Sequence, residues 1–133
     1  MSNSRILKIY LFISGLILTA VGILTTFNPI TIKANEGIEI AGNASALNDV
    51  RSFGMLLLVT ALLLFLGSFK SSLRKSATIF SSLLFLSLGA GRILSIILDG
   101  MPSSGMVKAT GLEVILGLVG LVLFIINNKQ QSF

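Results

Sequence analysis

Four long apolar runs decide what this chain can become. They extend from Ile6 to Phe27, Phe53 to Phe69, Ala77 to Leu98 and Ala109 to Ile126. Each is close to the roughly 20 residues that a helix needs to cross about 30 Å of hydrocarbon. Backbone in oil must satisfy its own N–H and C=O groups, so each run is read as a transmembrane helix. With 133 residues, 53% of them hydrophobic and 11% charged, the composition is that of one integral membrane domain. The expected fold is all-α: a four-helix transmembrane bundle spanning residues 1–133. The second run, bounded by Arg51 and Lys70, is short, which predicts snorkelling cations or an interfacial end.

The charges report orientation. The net charge of +5 is spread over loops and helix ends rather than gathered on one soluble face, so nucleic acid is not an expected partner. Arg5, Lys8, Lys70, Arg74, Lys75 and Lys129 fall on the side that holds both termini, against Lys33 and Lys108 in the opposite loops. By the positive-inside rule, both termini and the Lys70 to Ser76 loop face the cytoplasm.

The chain contains neither cysteine nor histidine. That excludes disulfides, thiolate or imidazole metal sites, histidine-ligated haem and every triad with a histidine base. No cofactor, metal or catalytic residue is assigned. Catalysis would fall to carboxylates, Arg, Lys, hydroxyls or the single Tyr10, which argues against an ordinary enzyme.

The basic start and apolar middle of the first run also fit a secretory signal. Its apolar length exceeds the usual roughly 7 to 15 residues and no clean small-x-small cleavage site precedes Asn28, so an uncleaved span is expected. Gly15, Thr19, Gly22 and Thr26 share one small-residue face for close helix packing, and Pro29 ends the helix. Between Asn28 and Asn48 lies one sizeable extracytoplasmic loop. Its segments 30–33 and 38–41 alternate around Ala34-Asn35-Glu36-Gly37, which reads either as a short hairpin or as irregular loop. Asn43-Ala44-Ser45 matches a glycosylation acceptor, a pattern frequent by chance.

Arg92 is the most demanding residue. It lies within the third run, seven residues before Asp99 and hence about 10 Å deeper, where an ionised side chain costs at least about 2.5 kcal/mol unless it is paired. Ser81, Phe85, Leu88, Arg92, Ser95 and Asp99 follow one helical face, while Glu113, Gly117, Gly120 and Phe124 follow another on the fourth run. Glu113 is the expected partner of Arg92. Asn48 is a candidate N-cap for the second span, which puts Asp49 where an anion suits the dipole and Arg51 where a cation does not. Asp99, just before Gly100, is the opposite mismatch at a helix C-terminus, so Arg51 is expected to pair with Asp99. Arg51, Arg92, Asp99 and Glu113, with Asp49 at the rim, thus form one charged cluster in the outer half of the bundle. Ion pairs that lock three helices in register, a recess for a lipid headgroup, small ligand or ion, and unpaired snorkelling side chains are the three readings of it.

The blocks Asn48-Asp49-Val50-Arg51-Ser52-Phe53-Gly54, Gly91-Arg92-Ile93-Leu94-Ser95 with Asp99-Gly100-Met101-Pro102, and Gly111-Leu112-Glu113 resemble a family of small four-span membrane proteins, domain-of-unknown-function family 4345. Leu11-Phe12 to Gly15-Leu16 and the Gly22 to Pro29 segment are similar too, so the resemblance covers nearly the whole chain. It implies a bacterial multi-pass membrane protein and no particular activity. The segment from Thr31 to Leu47 has no counterpart in that pattern.

The functional expectation is a non-enzymatic accessory, interaction or small-ligand- or lipid-binding membrane protein. Its partners are the bilayer, a headgroup or small ligand at the outer recess, and a homo-oligomer or membrane-protein partner. A small oligomeric transporter or channel is the alternative, with the glycine faces of the first and fourth spans (Gly15, Gly22, Gly117, Gly120) as contacts between copies. No inverted repeat or discontinuous span supports it. A lipid-modifying enzyme using Glu113 or Asp99 as acid or base comes third.

Overall fold

Helix length is where the structure first departs from the apolar runs. In the computed structural model, which describes residues 2–130 and 133, the elements are α1 (Asn3–Phe27), α2 (Pro29–Asn35), α3 (Ala44–Phe69), α4 (Ser71–Asp99) and α5 (Ser104–Gln130). The four long ones are long and apolar enough to cross a membrane. Each overshoots its apolar run, because a helix continues into water wherever its ends can be capped. The short second run is therefore no short helix. α3 starts nine residues before Phe53, at Ala44, where the Asn43 side chain accepts from the Ala46 N–H at 3.1 Å.

That cap corrects two expectations. The N-cap is Asn43, not Asn48, and Arg51 stands well beyond the first turn of α3, clear of the unfavourable end of its dipole. The Asn43-Ala44-Ser45 tripeptide is thereby a helix start. A third correction concerns the loop. Residues 30–33 form helix α2 rather than a strand, and 38–40 have no regular structure. Pro29 does end α1, with Asn28 as the break, but it then occupies the first turn of α2, where its missing N–H is harmless. A lone hairpin would have had no third strand to join.

α1 packs along α3 and α4 along α5, and these two pairs meet mainly through α3 and α4. α1 touches α5 more lightly: Asn3 Nδ2 donates to Gln130 Oε1 at 2.9 Å near the termini, and the Tyr10 hydroxyl to the Leu116 carbonyl at 2.9 Å, midway along α5. Close approach within each pair depends on glycine. A Cβ on Gly54 of α3 would meet the backbone of Thr25 and Thr26 of α1, and one on Gly117 of α5 would meet Leu86 of α4, backbone included. Gly15 faces Phe65, Gly22 faces Leu58, and Gly120 faces Tyr10 and Ser82. All four glycines expected to pack helices thus do so inside one chain, and their faces are not left over for contacts between copies.

The interior mixes an apolar core, including Leu7, Leu11, Leu57, Leu64 and Phe85, with buried polar side chains, while many large apolar residues face outward. Leu83 is 60% exposed while its neighbour Ser82 is 4% exposed, and Ser14, Thr78, Ser81 and Asn127 are fully buried. Three of the buried hydroxyls answer backbone carbonyls: Thr78 Oγ1 donates to Arg74 O at 2.7 Å, Ser81 Oγ to Thr78 O at 3.0 Å and Ser82 Oγ across to Gly117 O at 3.0 Å. Such a surface would aggregate in water, whereas in lipid it needs no cover and the buried polar groups supply directional contacts between helices.

Candidate functional site

Of the five charged residues expected to cluster, the structure joins two. Arg92 Nε donates to Glu113 Oε2 at 2.8 Å, the one salt bridge among the described residues, linking α4 to α5. Arg92 lies about 10 Å in from the end of α4, and Glu113 about 13 Å in from the start of α5, at about 1.5 Å per residue. Gly89 makes the meeting possible, since it lies one turn from Arg92 and faces Val114, so α4 and α5 approach closely there.

Arg51 does not pair with Asp99. Its Nη1 donates to the carbonyl of Thr26, in the last turn of α1, where orphan carbonyls and the negative end of the dipole attract a cation. Asp99 is exposed and accepts instead from Ser95 Oγ at 2.8 Å, one turn back on its own helix. Asp49 is exposed and has no partner among the described residues. The expected cluster therefore resolves into one ion pair, one helix cap and two surface carboxylates. The physical reason is that the α1 terminus competes for Arg51, and no sequence pattern places that terminus beside it.

Two further tethers carry no sequence expectation. Arg74, counted above only as an orientation charge, is buried, and donates through Nε to Gly67 O at 3.0 Å and through Nη2 to Ser68 O at 3.2 Å. It closes the end of α3 across the single residue, Lys70, that separates α3 from α4. An arginine seven residues after a Gly-Ser helix end is the signal that would have found it. At the opposite end, Ser103 Oγ donates to Glu36 while accepting from the Met106 N–H at 3.3 Å. The Glu36 carboxylate thus sits at the N-terminus of α5, the end that favours an anion, and ties the α2–α3 connection to α5.

Beside the ion pair the bundle is open. A cavity of about 110 Å³ is lined by Ile17, Leu18 and Val21 of α1, Phe53 and Leu57 of α3, Phe85, Leu88 and Arg92 of α4, and Ala109, Leu112 and Glu113 of α5. Val21 and Leu112 are 45% and 44% exposed, so the walls run out to the flank of the bundle between α1 and α5. Arg92 also lines a smaller cavity of about 60 Å³ with Ser95, Pro102, Met106 and Thr110. Only Nε of its guanidinium is engaged among the described residues, and the Glu113 side chain is 13% exposed against 33% for Arg92. The arrangement offers fixed N–H donors in an otherwise apolar recess that is charge-balanced by Glu113.

Four helices long and apolar enough to cross a membrane, with one ion pair linking α4 to α5, fit a small all-α membrane protein. The family model described as a domain of unknown function (DUF4345) matches residues 6–124, and the chain belongs to that family. No curated protein and no solved structure matches it.

Proposed function

We propose that this protein is a non-enzymatic, ligand-holding component of the bacterial inner membrane, which takes a small ligand or the polar end of a lipid into the recess beside Arg92. The observation that supports it is the half-used guanidinium. Arg92 engages Glu113 through Nε alone while bordering two cavities, the larger walled by apolar side chains. A pair serving only to fix helix register gains most from a two-pronged, closed geometry.

Mass spectrometry of the full chain released from lipid nanodiscs tests this. Wild type should retain an amphiphile that a folded Arg92→Leu variant loses, and an identical complement of bound species in both would refute the reading. The bridge between α4 and α5 favours the register-lock reading as second, and it predicts no bound species in either protein. In the proposed orientation both termini and the α3–α4 corner face the cytoplasm, as the positive-inside rule requires. A Ser72→Cys variant, at an exposed position, should then be labelled by a membrane-impermeant maleimide only after the membrane is opened.

A further inference from the structure

Resting on the proposal of a ligand at Arg92, we infer that the occupant is an uncharged amphiphile whose polar end carries an ester or ketone carbonyl, with an apolar tail leaving between α1 and α5. Charge is the first reason. Arg92 and Glu113 are the only ionisable side chains that line either cavity, and as a pair they sum to zero. An anionic head would leave the recess with an uncompensated negative charge in a low-dielectric setting, where desolvation is expensive. A neutral head adds none.

Hydrogen-bond inventory is the second reason. A guanidinium has five N–H donors and no acceptor, and among the described residues one of those donors is engaged here. The occupant must therefore bring lone pairs, as a carbonyl does. Glu113 engages through Oε2, and its Oε1 has no partner among the described residues, so a hydroxyl next to the carbonyl would find an acceptor. An ester flanked by a free hydroxyl satisfies both groups without disturbing their pair.

Size is the third. A cavity of about 110 Å³ is smaller than the roughly 150 Å³ that admits benzene. It takes a group of ester or ketone dimensions, whereas a phosphodiester headgroup and its substituent exceed it. The rest of the molecule has to lie outside, along Val21 and Leu112, which are the exposed wall residues.

Two probes that share a diazirine-bearing tail decide the matter with the full chain in phosphatidylcholine nanodiscs. One is a monoacylglycerol, which is neutral and carries an ester and hydroxyls; the other is an alkyl sulfonate, a permanent anion. Photolabelling of peptides containing Val21 and Leu112 should favour the monoacylglycerol by about tenfold or more. Glu113→Gln removes the compensating charge and should reverse that preference, while Arg92→Leu should abolish labelling by either probe. Val21→Trp, at an exposed position that leaves the ion pair intact, should reduce labelling at Leu112, and it serves if an Arg92 variant does not fold. Preference for the sulfonate in wild type, or no reversal in Glu113→Gln, overturns the inference and leaves the ligand site standing. Labelling by neither probe, or labelling indifferent to Arg92 and to Val21→Trp, overturns both.

Discussion

Replacing both members of the Arg92–Glu113 ion pair should harm the protein less than replacing either one. Arg92 Nε and Glu113 Oε2 are 2.8 Å apart, so the charge centres are separated by roughly 4 Å. At an effective dielectric constant near 20, their attraction is about 4 kcal/mol. Because the arginine side chain is 33% exposed, screening lowers the coupling to about 3 kcal/mol. The loss is unequal between the single changes. Arg92→Leu strands Glu113, the more buried partner at 13% exposed, and should cost about 2.5 kcal/mol, whereas Glu113→Leu leaves a longer, better solvated cation and should cost about 1.5 kcal/mol. Arg92→Leu with Glu113→Leu removes both charges, leaves leucines in an apolar wall and should cost about 1 kcal/mol. Unfolding free energies of the four proteins, measured by steric trapping in bicelles, give the coupling directly. A coupling below about 0.5 kcal/mol, within the additivity expected of independent sites, would refute an energetic link between the two helices at this point.

Two other substitutions test the packing. Gly54→Val should destabilise the fold by about 2 to 3 kcal/mol in the same assay, because its side chain meets the α1 backbone at Thr25 and Thr26; Gly111→Ala, whose Cβ meets nothing, should show no loss. Arg74→Met should cost about 2 kcal/mol by leaving the Gly67 and Ser68 carbonyls without their donor. Arg74→Lys should restore less than half of this, since a point charge cannot bridge two carbonyls as a planar fork does.

The apolar runs, the deep arginine and its acid were legible one residue at a time, because oil imposes the same demand on any chain: long helices, and no lone charge. Sequence alone thus determined the class of protein, the four spans and the Arg92–Glu113 pair. It misplaced Arg51 and passed over Arg74 and Glu36, whose partners are carbonyls or hydroxyls at helix ends. Every residue has a carbonyl, so no spacing marks the one that a guanidinium will reach. Tertiary structure decided those attachments, together with the recess itself. The recess beside Arg92 is lined by residues from all four long helices, so no single stretch of sequence encodes it. Hydrophobicity selects what enters the membrane; the angle at which whole helices settle against one another fixes where space is left between them.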